Sequence, residues 1–130
     1  MTDTTNDSMT RTGTPLVLWH NPACSASRAV LTLLQDKGLS PVVIDYLREP
    51  PTLAQLQALA ATPGLSAREI LRLKEPLVAE LGLDHPDTPD DAILAAIAAH
   101  PVLLNRPLLT SEQGGRACRP AERAWEIVSP

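Results

Sequence analysis

Residues 20–28 read His20-Asn21-Pro22-Ala23-Cys24-Ser25-Ala26-Ser27-Arg28, and their flanks set the architecture. In front lies Leu16-Val17-Leu18-Trp19, a short apolar run with the length and β-preference of a buried strand. Behind, Ala26, Ala29, Val30, Leu33 and Leu34 repeat at intervals of three and four, ending at Lys37-Gly38, which is the pattern of a helix with one buried face and a glycine stop. Cys24 therefore falls in a strand-to-helix turn, where free backbone N–H groups and the positive end of the helix meet its sulfur. Such a position favours the thiolate: a free cysteine titrates near about 8.5, and values of roughly 3.5–7.5 occur at helix starts beside cations. Ser27 is a candidate hydrogen-bond donor to the sulfur, and His20 and Arg28 are candidate sources of positive charge. The ordinary alternative is a small apolar cysteine filling a turn.

Working outward, Pro41-Val42-Val43-Ile44-Asp45-Tyr46 reads as a second strand. Val42 to Ile44 are apolar on both faces, as in a central parallel strand. Strand, helix and strand make a β-α-β unit, right-handed in nearly all proteins, which brings both strand ends and Cys24 to one edge of a sheet. Thr52 is an N-cap for a helix through Leu53, Leu56 and Leu59, and Pro63-Gly64 ends it. Ser66 opens a further short helix with Ile70, Leu71 and Leu73 inward, with Arg68 and Arg72 on one face. Residues 84–91 form an acidic, proline-broken loop, and Asp90 or Asp91 opens a helix over Ile93, Leu94 and Ile97 that stops at His100-Pro101. Strand character returns in Val102-Leu103-Leu104 and in Pro107-Leu108-Leu109-Thr110. A turn at residues 112–115, a short strand Arg116-Ala117-Cys118 and a last helix opened by Pro120 complete the chain. The order predicts an α/β fold of thioredoxin/glutaredoxin type, with a mixed sheet and an inserted helical segment over about residues 52–100. Residues 1–14, rich in Thr, Asp, Asn and Ser, predict a disordered tail, and residues 15–130 a single domain.

Composition excludes several classes of function. The chain has 130 residues and a formal net charge of -4, against the basic excess that nucleic-acid or anionic-membrane surfaces need. With no Phe, two Trp and one Tyr, base-stacking platforms are not expected. Two cysteines, at 24 and 118, make neither a disulfide framework nor a zinc spacing, so no metal site is expected. Neither a signal-peptide core nor a run near 20 apolar residues is present, which gives a cytoplasmic location and no membrane partner as the expectation.

The stretch at residues 20–28 resembles the HNPxCxxSR motif of the glutaredoxin-coupled arsenate reductases, the ArsC family with a thioredoxin-like fold. Three more stretches are similar to that family. Ser66-Ala67-Arg68-Glu69-Ile70-Leu71-Arg72 looks like its segment with a substrate-binding arginine, here Arg72. His100-Pro101-Val102-Leu103-Leu104-Asn105-Arg106-Pro107 resembles its H-P-x-L-x-x-R-P stretch, whose last proline is cis and whose arginine, here Arg106, faces the cysteine. Gly115-Arg116-Ala117-Cys118-Arg119-Pro120 resembles its G-x-x-x-R-P stretch, which makes Arg119 the third arginine. The resemblance runs from about Leu16 to Val128.

The resemblance implies an enzyme that reduces arsenate to arsenite through a covalent adduct on Cys24. Glutathione acts as co-substrate, glutaredoxin as partner, and no cofactor is bound. A thiolate nearing a dianionic oxyanion brings negative charge onto negative charge. Arg72, Arg106 and Arg119 would offset it, since guanidinium forks suit tetrahedral oxyanions. His20, Ser27 and Arg28 would tune the thiolate. Two other readings stay open. One is a general glutathione-dependent thiol-disulfide oxidoreductase; the other is a non-enzymatic regulator of the same superfamily that binds RNA polymerase, although the C-x-x-C redox pair of such regulators is lacking because residue 27 is Ser. The C-x5-R loop of the phosphatase-type arsenate reductases is also missing, since the residue six after Cys24 is Val30. Cys118 reads either as a resolving thiol or as a buried apolar residue, His85 as a solvated loop residue, His100 as structural at a helix end, and Arg68 and Arg116 as surface residues.

Overall fold

The computed structural model describes residues 15–129; the tail expected over residues 1–14 lies outside them. Strand β1 (Val17–His20) leads through the 21–24 turn into helix α1 (Ser25–Asp36), and β2 (Val42–Asp45) follows. Then come α2 (Leu53–Ala60), α3 (Pro76–Glu80), α4 (Asp90–Ala99) and a 3-10 turn at Pro101–Leu103. Strands β3 (Leu108–Ser111) and β4 (Gly114–Ala117) form a hairpin, and a second 3-10 turn spans Ala121–Glu126.

The sheet order is β2-β1-β3-β4. β1 runs parallel to β2 and antiparallel to β3, with Trp19 opposite both Ile44 and Leu108, and Leu18 opposite both Val43 and Leu109. Side chains alternate across a strand, and the two layers follow from that period. Trp19 and Leu108 enter the larger core, with Leu56, Ile70, Ile93, Ile97 and Leu104 from the segment between β2 and β3. Leu18 and Leu109 face the other way, onto Val30 and Leu34 of α1 and onto Cys118, Ala124 and Ile127. This is the thioredoxin-like α/β arrangement, with the helical segment covering one face.

Several local expectations are corrected. β2 is an edge strand, and Val42 and Val43 are 50% and 42% exposed; an apolar triplet alone does not tell an edge from a centre. Residues 66–72 form turns and a bridge from Leu71 to Leu104 in place of a helix. Leu73 points outward at 61% exposure, because Arg72 N–H bonds the Leu103 carbonyl at 2.8 Å and leaves the helical path. Residues 101–103 make a 3-10 turn where a strand is expected, and the last helix is 3-10. On α1 the buried positions are Ser27, Val30 and Leu34, while Ala29 is exposed. The Thr52 cap holds: Thr52 Oγ1 accepts from Gln55 N–H at 3.1 Å and Gln55 Oε1 accepts from Thr52 N–H at 2.9 Å, a reciprocal capping box.

Glycine is required where the hairpin meets the end of α2. Gly114 has φ +136°, and a Cβ there would stand 2.6 Å from the Pro63 carbonyl oxygen. That close approach seats the hairpin against the helical segment.

Candidate functional site

The 21–24 turn is built by its own side chains. Asn21 Oδ1 accepts from Ala23 N–H at 2.9 Å, the Asn21 carbonyl accepts from Cys24 N–H at 3.0 Å, and the Cys24 carbonyl accepts from Arg28 N–H at 3.0 Å. Asparagine favours such turns because its short amide reaches the backbone two residues on. Cys24 is thereby the N-cap of α1, partly exposed at the helix start.

Burial alone would raise the Cys24 pKa, yet the thiol titrates below its ordinary value. The backbone N–H groups of Ser27 and Ala26 and the Arg106 guanidinium together outweigh that desolvation. Arg119 reaches the same sulfur from the far end of the chain, with Nη2 3.6 Å from Sγ, and its Nε donates to the Arg106 carbonyl at 2.8 Å. The site therefore unites the start of α1 with the two Arg-Pro segments flanking the β3–β4 hairpin. Both bonds, Arg106-Pro107 and Arg119-Pro120, are cis.

The other predicted residues divide. Arg72 lines a cavity of about 510 Å³ together with Lys74, Asn105, Arg119 and Arg123, so it shares a cleft with Arg119. Its Nη1 lies 3.7 Å from Glu75 Oε2. Ser27 is fully buried, and the expectation that its hydroxyl faces the sulfur is corrected. Oγ sits 2.6 Å from His20 Nδ1 and accepts from Asn21 N–H at 3.1 Å, while its backbone N–H is the group that serves Cys24. His20 is buried too, and burial lowers its pKa despite the opposing pull of Asp45. It is neutral near pH 7, in contrast to the cation expected. Arg28 directs Nη1 to the Pro22 carbonyl at 2.7 Å, bracing the turn rather than the sulfur.

Cys118 is buried in the smaller core and its pKa is pushed up to about 12, chiefly by desolvation. Of its two open readings the packed apolar residue is the one its surroundings favour. Arg116 is ion-paired to Glu126 at 2.8 Å. Arg68 is no free surface residue, because its Nη2 donates to the carbonyls of His85, Pro86 and Thr88 at 3.1, 3.2 and 2.9 Å, clasping the acidic loop. No motif flags that role, since backbone carbonyls leave no mark in the sequence. Tyr46, just beyond β2, also goes unflagged: its ring is fully buried, and its hydroxyl feels both Arg106 and Cys24.

Among the described residues no group of three or more His, Cys, Asp and Glu side chains is placed to hold a metal, and no helix is long and apolar enough to cross a membrane. What the arrangement can do chemically is present a nucleophilic thiolate beside guanidinium donors, a setting suited to attack on a small oxyanion.

The family model described as "ArsC family" matches residues 19–127. A curated arsenate reductase of Rhizobium meliloti (strain 1021) is 41% identical over 113 residues, 87% of this chain and 81% of that one. One of Neisseria meningitidis serogroup A is 45% identical over 112 residues, 85% of this chain and 96% of that one. The solved structure of an arsenate reductase from Vibrio cholerae superposes with a TM-score of 0.80 at 42% identity, covering 87% of this chain and 97% of the other.

Proposed function

The chain belongs to the ArsC family, and on that premise we propose that it is an arsenate reductase acting through Cys24 with electrons from glutathione and glutaredoxin. One observation carries the reading: a thiol with a lowered pKa is met by the guanidinium groups of Arg106 and Arg119 at the start of a helix. A thiolate and two fixed forks are what a nucleophile needs before it can approach a doubly charged oxyanion.

In the proposed sequence the Cys24 thiolate attacks arsenic, the S–As bond forms, and one arsenate oxygen leaves as water after taking up two protons. The thiol of glutathione then condenses on arsenic and expels a second water. A glutaredoxin thiolate next attacks the glutathione sulfur. The S–S bond of the mixed disulfide forms, the glutathione S–As bond breaks, and its electron pair passes to arsenic, which falls from As(V) to As(III). Hydrolysis of the remaining Cys24–As bond releases arsenite and restores the thiol. Arg106 and Arg119 balance charge at the sulfur and on the oxyanion, and Arg72 extends the cationic wall from the adjoining cleft. Ser27 keeps His20 oriented under the turn, burial keeps it uncharged, and Arg28 fixes the turn's backbone. The reaction needs no bound cofactor, and the chain's working place is the cytoplasm, where these thiols are kept reduced.

The test is NADPH oxidation coupled through glutathione reductase, with arsenate, phosphate or a small disulfide as substrate, each with and without glutaredoxin. Turnover with arsenate that requires both thiols and is lost in Cys24→Ser is the expected result. Turnover with the disulfide alone would replace the proposal with a general thiol-disulfide oxidoreductase.

A further inference from the structure

The cleft that Arg72 and Arg119 share is far larger than a tetrahedral oxyanion needs. It holds about 510 Å³, inside the range of about 300–1,000 Å³ for small-molecule sites, whereas arsenate takes the place of a few waters at about 30 Å³ each. Its lining is cationic in a chain of net charge -4: five of the 11 Lys and Arg residues line it, Arg68, Arg72, Lys74, Arg119 and Arg123, against the single carboxylate of Glu69.

These cations differ in what already engages them. Arg68 is committed to the carbonyls of His85, Pro86 and Thr88, and Arg119 to the Cys24 sulfur and the Arg106 carbonyl. Arg123 donates to the Ala117 carbonyl at 3.2 Å and keeps a long ion pair, 3.5 Å, to Glu126. Lys74 is exposed, and no carboxylate among the described residues pairs with it. Beside it Leu73, 61% exposed, gives the cleft an apolar lip. Because Arg119 lines the cleft and also stands 3.6 Å from Cys24 Sγ, an occupant can lie there with one part beside the reacting sulfur.

We infer that this cleft seats glutathione by its two carboxylates, with Lys74 and Arg123 as the residues that hold them. This rests on the glutathione-dependent reading given above. The tripeptide carries a carboxylate at each end and its thiol between them. Two cations beyond those at the sulfur can therefore hold it while Arg72, Arg106 and Arg119 stay with the oxyanion. Such a lining favours a peptide thiol with carboxylates over a neutral thiol of the same reactivity.

The experiment titrates isotope-labelled protein with S-methylglutathione, which keeps both carboxylates and has no free thiol, and follows the backbone amides by NMR. Saturable shifts at Leu73, Lys74, Asn105 and Ala117 are expected in the wild type. In Lys74→Glu and in Arg123→Gln the Kd should rise about 5- to 10-fold, the scale of one partly exposed ion pair, and it should rise at least as far in the wild type when the diethyl ester replaces the probe. The dispersion of each variant's spectrum reports that it is folded. Equal binding of the ester, a Kd unmoved by both substitutions, shifts confined to residues outside the cleft, or no shifts at all each overturn the inference. The coupled assay above tests the reading separately. A wild type that turns over arsenate with glutathione while its cleft stays silent loses the inference alone; one inert to arsenate with glutathione loses the reading, and the inference with it.

Discussion

Arg119 Nη2 stands 3.6 Å from Cys24 Sγ, and Nε of the same guanidinium donates to the Arg106 carbonyl at 2.8 Å. One planar fork thus links the sulfur to the backbone of a second arginine, a geometry that a lysine ammonium cannot copy. Arg119→Lys keeps the charge and loses the second contact. The expected outcome is a 10- to 100-fold fall in kcat/KM for arsenate, about 1.5–3 kcal/mol, with a circular-dichroism spectrum like that of the wild type. Wild-type kcat/KM in the lysine variant would show that charge alone suffices.

The two thiols should separate cleanly in reactivity. Cys24 is held below its ordinary value by Arg106 and the helix-start N–H groups, while Cys118 is pushed up to about 12 by burial. Mass spectrometry after brief iodoacetamide treatment of the native protein at pH 7 should find one label, on Cys24, and two labels after unfolding in urea. In Arg106→Ala the midpoint of the rate-against-pH curve should move up, because a cation that favours the thiolate is gone. A midpoint that stays where it was would remove Arg106 from the account of the thiolate.

Acid should weaken the turn beneath the sulfur through His20. Its folded pKa lies below its ordinary value because burial disfavours the imidazolium. The unfolded chain therefore binds the proton more readily, and the stability this group contributes is complete above about 6.5 and declines as pH falls through the folded value. Thermal melts taken from pH 7.5 down to 5 should show a falling Tm. In His20→Gln the dependence should flatten; an equally steep fall in that variant would assign it to other groups.

Ser27 is the second half of the same device. Ser27→Ala leaves His20 Nδ1 and the Asn21 N–H without their buried partner, a loss of about 1–3 kcal/mol. The Cys24 midpoint should move little, since it is the Ser27 backbone N–H that faces the sulfur. Chemical denaturation together with thiol titration checks both parts. A large pKa rise without loss of stability would restore the hydroxyl as a partner of the thiolate.

Arg68 should prove structural. Its guanidinium clasps three carbonyls of the 85–88 segment, so Arg68→Ala should destabilise the protein by about 1–3 kcal/mol and make the 84–91 loop the first site of limited proteolysis. Cleavage elsewhere, at an unchanged rate in that loop, would sink this assignment.

How far the sequence reaches depends on the range of the forces involved. The β1-turn-α1 unit, the Thr52 cap and the hairpin after Leu108 are legible because alternation, capping and turn chemistry act within a few residues. β2 is misread as central because Val42 to Ile44 say nothing of what lies beyond them, and residues 66–72 are misread as helix because a long-range bond from Arg72 N–H to Leu103 overrides their period. Arg68 and Tyr46 escape notice for a related reason. Arg68 bonds backbone carbonyls far along the chain, and Tyr46 is buried within the influence of the distant Arg106 guanidinium, neither of which a local pattern announces.

By itself, then, the chain determines that a cysteine stands at a helix start after a buried strand, because hydrophobic period and turn residues are local properties. It also supplies arginines beside prolines further along. Only the tertiary structure decides that Arg106 and Arg119 meet that sulfur, that the buried His20 is neutral, and that the Tyr46 hydroxyl is buried within the influence of Arg106. Charge and desolvation depend on distance in space, and residues 24 and 119 become neighbours only once strand β3 pairs with β1.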